Sequence, residues 1–253
     1  MRVLILGGTL DARELAGLLA NRPKLDVRLS LAGRTASPVE QGVPVVSGGF
    51  GGIEGLAGFL REERIDVLID ATHPFAANIS FNAAKAAPQA KTKLLALRRA
   101  PWTKVDGDRW FNVADIPAAV EVLGDAPLRV FLALGRNELA SFVRAPQHHY
   151  LIRSVDPVDP PLDVPSADYI VARGPFTAED DRALFDANRI DIVVAKNSGG
   201  PATYSKIEAA RLRRMPVVML QRPKLPDVLR VASVGEVVTW LDHAVTASKE
   251  RGV

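Results

Sequence analysis

Four short segments of this chain place polar or charged side chains directly after an apolar run, beside glycine or proline. The first is VLILGGTLDARELA, where Gly7, Gly8 and Thr9 form a turn without bulk. Such a turn lets backbone N–H groups at a helix start approach a pyrophosphate, which the helix dipole then favours. The match to G-x-G-x-x-G is imperfect, because counting from Gly7 the second glycine is Thr9 and the third is Ala12; a tight turn into a packed helix accounts for the same residues. The second segment, LSLAGRT, carries no acid where an NAD enzyme places one for the ribose hydroxyls. It carries Arg34 and Thr35 instead, a guanidinium fork and a hydroxyl suited to a 2′-phosphate, so NADP(H) is favoured over NAD(H). The missing acid also weighs against S-adenosylmethionine and a methyltransferase.

In the third segment, VLIDATHPFAANIS, a strand is followed at once by Asp70, Ala71, Thr72 and His73. Ligands of open parallel sheets sit beyond the carboxyl ends of the strands, so Asp70 and Thr72 join the expected cofactor-binding set. Pro74 suits a first helical turn, which leaves His73 to contact a ligand, to relay a proton or to cap its own helix. The fourth, IVVAKNSGGPATYSK, joins Lys196, Asn197, Ser198, Gly199 and Gly200 to a helix expected to open at Thr203, with Lys206 one turn in. This is a second anion cradle. The loops LGRNE, with Arg136, and ARGPF, with Arg173, follow strands as well and extend the expected substrate-binding set.

Strands are expected at residues 2–6, 27–31, 43–46, 66–69 and 93–97, with helices at 11–19, 53–63 and 75–87 between them. After a break at residues 99–108 a second series follows: strands at 130–134, 150–153, 169–171, 191–195 and 217–220, and helices at 178–188, 203–213 and 235–244. The fold class is α/β, with two Rossmann-like parallel-sheet domains, residues 1–100 and 101–253, and a cleft between them.

Composition narrows the partners. With no cysteine among 253 residues, disulfides, thiolate metal sites and a cysteine nucleophile are excluded, and a cytoplasmic location fits. No metal site is expected; the neighbours His148 and His149 would point to opposite faces of a strand. The amino terminus does not read as a signal peptide, and no run of about 18 apolar residues suggests a membrane span. The net charge is +3, yet residues 196–230 hold eight Lys or Arg against two acids. With aromatics at 6%, a polyanionic small molecule fits that excess better than nucleic acid. A short-chain dehydrogenase needs Tyr-x-x-x-Lys, and Tyr150, Tyr169 and Tyr204 are followed four places on by Ser154, Arg173 and Glu208.

Taken together, GGT-x-D-A, DATHPFA, RGPF, AKNSGG followed by T-x-x-K-x-x-A-A, and PVVMLQRP resemble the precorrin-6A reductase family of cobalamin biosynthesis. The resemblance runs over nearly the whole chain. It implies two Rossmann-like halves with the substrate between them, and NADPH-dependent reduction of one macrocycle double bond to give dihydroprecorrin-6. It implies too that Lys196, Asn197, Ser198 and Lys206 meet macrocycle carboxylates. The proton for the neighbouring carbon has rival sources in His73, Lys196 and bound water. A cobalt-precorrin-6A reductase and a non-enzymatic NADP(H) sensor are the alternative readings, the cobalt-free substrate being favoured.

Overall fold

A computed structural model describes residues 1–32 and 41–250, with side chains described to residue 246. The chain forms two compact units, residues 1–100 with 223–253, and residues 101–222. The first begins with β1 (Arg2–Leu6), α1 (Leu10–Leu19), β2 (Asp26–Leu31), β3 (Val45–Ser47), α2 (Gly52–Glu62), β4 (Val67–Asp70), α3 (Ala77–Gln89) and β5 (Lys93–Leu97). These strands lie in the order β5-β4-β1-β2-β3, all parallel, with Val3 opposite both Val27 and Val67. A parallel sheet covered on both faces needs continuous apolar strands, and β1 shows why. Its alternation sends Val3 and Ile5 into the core with Leu15 and Leu19 of α1, and Leu4 and Leu6 into the opposite core with Leu56, Leu60 and Ala83 of α2 and α3.

The second unit contains β6 (Arg109–Val113), α4 (Ile116–Leu123), β7 (Arg129–Ala133), α5 (Arg136–Leu139), a 3-10 turn over Ala140–Arg144, β8 (His149–Ser154) and β9 (Ala167–Val171). It continues with α6 (Ala178–Ala187), β10 (Ile192–Lys196), α7 (Ser205–Leu212) and β11 (Pro216–Leu220). Its order is β6-β11-β10-β7-β8-β9, again all parallel. The sequence reading placed no element over β6 or α4. In β6 only Val113 is buried, as befits an edge strand, so no apolar run marks it. In α4 a start signal does exist, since the Asp115 side chain accepts from Ala118 N at 2.9 Å.

The chain then returns to the first sheet. β12 (Arg230–Val231) pairs in parallel with β5, Arg230 opposite Ala96, and α8 (Val234–Glu250) lays Val237 and Leu241 into the core that holds Leu15, Leu19 and Leu95. The expected division at 1–100 and 101–253 is therefore corrected: the closing helix, read as part of the second domain, belongs to the first. The outer edge of β5 offers pairing to β12, and the apolar face of α8 completes the core beside α1. β6, next in sequence to β5, goes to the second sheet instead.

Candidate active site

In each sheet the chain leaves one central strand toward one side and returns on the other, and that reversal opens a crevice at the strands' carboxyl ends. In the first sheet the adjacent strands are β1 and β4. Gly7, directly after β1, donates its N–H to Ser30 O at 2.9 Å. A Cβ there would lie 2.6 Å from Leu29 Cδ1, so close packing against β2 requires glycine. Gly8 has φ +101, a backbone conformation that favours glycine, and a Cβ there would meet nothing within 4 Å among the described residues. Thr9 is the N-cap of α1: its Oγ1 accepts from Ala12 N at 3.1 Å and donates to Ala71 O at 2.8 Å. The bare turn and the helix start that follows it fit a pyrophosphate. Arg34 and Thr35 lie outside the described residues.

The loop after β4 is braced from within. Asp70 is buried, forms an ion pair with Arg98, and accepts from the Thr72 N–H at 3.1 Å and the Thr72 hydroxyl at 2.6 Å. Arg98 also reaches Ser80 Oγ at 3.0 Å and the carbonyl of Asp70 at 3.2 Å. Burial raises the Asp70 pKa, but the hydrogen bond and charge of Arg98, with the Thr72 and Ser80 hydroxyls, outweigh it and hold the carboxyl below its ordinary value. Asp70 and Thr72, both in the expected cofactor-binding set, fasten the loop with their side chains. Neither Arg98 nor Ser80 was singled out from sequence, since each lies far along the chain. His73 accepts the Phe75 N–H on Nδ1 at 3.2 Å, and its carbonyl accepts from Ala76 N at 2.7 Å. The THPF segment is thus a turn, and α3 starts at Ala77 rather than Phe75. With Nδ1 accepting, the neutral ring carries its proton on Nε2.

In the second sheet the reversal lies between β7 and β10. Lys196 ends β10 and forms an ion pair with Glu138 of α5, the short helix that follows β7. The next residues are held from behind. The buried Asn197 amide accepts from Trp102 N at 2.7 Å and donates to Trp102 O at 3.0 Å. Arg222 donates to the carbonyls of Asn197 and Ser198 at 2.9 and 3.0 Å, and Trp102 Nε1 donates to Gly200 O at 2.8 Å. Gly199 and Gly200, at φ +66 and +74, allow the loop to fold back. Asn197, expected to clamp a ligand, is thereby a bracket for Trp102.

A family model described as precorrin-6x reductase CbiJ/CobK matches residues 2–242, with both strand–loop–helix sites inside the matched span. This chain belongs to the precorrin-6x reductase family. A precorrin-6A reductase from Sinorhizobium sp is 53% identical to it over 242 residues, 96% of this chain and 93% of the relative. A solved structure of CobK precorrin-6A reductase superposes with a TM-score of 0.92 at 47% identity, covering 96% of each chain. A cobalt-precorrin-6A reductase from Priestia megaterium is 30% identical over 234 residues, 88% of this chain and 91% of the relative.

In this precorrin-6x reductase family member, the remaining expected substrate contacts divide between surface and interior. Arg136, Arg173 and Thr203 are exposed. Lys206, read as reaching toward a ligand, is 5% exposed; its ammonium donates to Thr203 O and lies 5.2 Å from the centre of the Trp102 ring. Its pKa is lowered from 10.5 to about 7, with burial the largest cause, the Arg153 charge acting the same way and Asp181 opposing them. That interior position corrects the expectation. Beside it the sequence reading missed a buried network: Arg153 pairs with Asp181, which also accepts from Ser205 Oγ at 2.6 Å, and the Arg153 guanidinium stacks 3.8 Å from the Phe176 ring. Glu138 was missed too; its signal was an acid in LGRNE one loop from a lysine-bearing strand end.

Proposed function

We propose that this chain catalyses the NADPH-dependent reduction of one ring double bond of precorrin-6A to dihydroprecorrin-6 in cobalamin biosynthesis. The observation that carries this reading is a bare glycine turn at the reversal of one Rossmann-like sheet and a lysine-bearing loop at the reversal of the other, in a member of the precorrin-6x reductase family. The cobalt-free substrate is preferred, supported by 53% identity to a precorrin-6A reductase against 30% to a cobalt-precorrin-6A reductase.

Gly7, Gly8 and the start of α1 receive the pyrophosphate, and Thr9 keeps that turn in register with the loop after β4. Arg34 and Thr35 take the 2′-phosphate. NADPH, when bound, supplies the hydride. The second unit supplies cations for the carboxylates of the macrocycle: Lys196 at the sheet's reversal, and the exposed Arg136 and Arg173. Orientation and charge complementarity then do most of the work. His73, with a proton on Nε2, and Lys196 are the residues able to hold a proton for the neighbouring carbon. No helix among the described residues is long and apolar enough to cross a membrane, and we place the reaction in the cytoplasm.

The direct test is anaerobic incubation of the protein with NADPH and precorrin-6A, following loss of reduced-nicotinamide absorbance together with product mass. Binding of NADPH without turnover of either precorrin-6A or its cobalt complex would replace the enzyme by an NADP(H)-sensing protein.

A further inference from the structure

We infer that Glu138 is a positioning residue that holds the Lys196 ammonium in place at the reversal of the second sheet, and that Gly135 is glycine to admit the Glu138 carboxylate. Three observations in one unit carry this. First, the Glu138–Lys196 ion pair joins α5, which follows β7, to the end of β10, and the crevice opens between those two strands. Second, Glu138 Oε2 is buried and has no hydrogen-bond partner among the described residues. Leaving a carboxylate oxygen in that condition costs free energy, so its position serves something other than local stability. Third, Gly135 has φ −76 and ψ 153, a conformation open to any residue, yet a Cβ there would lie 2.5 Å from Glu138 Oε2. The backbone does not require this glycine, and a side chain there would displace the Glu138 carboxylate from the place it holds.

The geometry has a direct consequence for binding. With Oε2 buried beside Gly135, the carboxylate presents Oε1 to the ammonium. An ammonium already held in place by Glu138 loses little further side-chain freedom when an anionic substrate arrives. Glu138 thus acts on an anionic substrate through Lys196.

The role in turnover rests on the reductase reading above, so the test has one arm that needs no precorrin. Lys196 acetylation by acetic anhydride, followed by mass spectrometry on the folded protein, is expected to quicken several-fold in Glu138→Ala and in Gly135→Ala, which displaces only the far end of a flexible side chain. Unchanged Lys196 labelling in both variants overturns the inference, whatever the enzyme does. In the second arm, Glu138→Ala should raise KM for precorrin-6A about 10-fold with the NADPH Kd unchanged, and Glu138→Gln should recover part of that loss because it keeps an acceptor. The same Glu138→Ala change made in a Lys196→Ala background should add nothing to KM; a full additional rise there also overturns it. If the wild type turns over no precorrin while the labelling arm succeeds, the reductase reading fails and the positioning of Lys196 stands.

Discussion

Thr9 and Ala71 are joined across the reversal of the first sheet: the hydroxyl that caps α1 also donates to the Ala71 carbonyl at 2.8 Å. One side chain therefore sets both the start of α1 and the loop that carries His73. Thr9→Val keeps the shape and removes both bonds. It should cost about 1–2 kcal/mol of stability and weaken NADPH binding on the order of 10-fold, whereas Thr9→Ser should retain most of each. Thermal denaturation and cofactor titration of the three proteins check this, and a Val variant with wild-type NADPH affinity would confine Thr9 to capping.

The Asp70–Arg98 pair makes a sharper demand on stability. Breaking a buried ion pair by removing one partner typically costs about 3–5 kcal/mol, because the other charge stays buried. Arg98→Met should reach that range in denaturant unfolding, and Asp70→Asn/Arg98→Met together should be less harmful than Arg98→Met alone. The folded Asp70 pKa lies below its ordinary 3.8. The pair's contribution is therefore complete above that value and is lost as pH falls through the folded pKa. Acid titration of wild type and the double variant should show their stabilities converging only below about pH 4.

Lys206 works in the opposite sense. Its pKa falls from 10.5 to about 7 on folding, so between those values the unfolded chain binds the extra proton and stability rises with pH. Below about pH 7 the cost of burying the charged form is present in full. Lys206→Met should consequently raise Tm at pH 6 and lose that advantage by pH 10. A Tm difference that does not vary with pH would mean the ammonium is not desolvated.

His73→Asn separates the two uses of the imidazole. The Asn side-chain oxygen can still accept the Phe75 N–H, so the turn before α3 survives, but the proton on Nε2 is gone. If His73 supplies the proton, kcat falls roughly 10²–10⁴-fold with both Kd values preserved. A kcat within a few-fold of wild type leaves His73 as a turn residue and passes the proton to Lys196 or water.

Cofactor choice tests the end of the second strand. If Arg34 and Thr35 take the 2′-phosphate as proposed, wild type should prefer NADPH over NADH by about 10- to 100-fold or more. Arg34→Ala should weaken NADPH and leave NADH nearly unchanged. Equal weakening of the two would move Arg34 to the pyrophosphate or to the fold.

Local chemistry marks the strands and their loops in this chain, because a covered parallel strand needs an apolar run and an anion-binding turn needs glycine beside polar residues. Arg2–Leu6 and Lys93–Leu97 have the bounds that their residue types indicate, and the glycine turns at residues 7–8 and 199–200 stand at sheet reversals. Edge strands escape that logic. Arg109–Val113 buries one side chain and Arg230–Val231 is two residues long, so neither carries a periodic signal, and which sheet each joins depends on an edge built elsewhere in the chain. The same holds for side-chain roles. A polar residue near a strand end looks alike whether it faces a ligand or turns inward, and the difference lies in a distant partner: Arg98 for Asp70, Trp102 for Asn197, Lys196 for Glu138. Only the packed chain brings those partners within hydrogen-bonding range, and there desolvation decides which polar groups are already satisfied and which remain for chemistry.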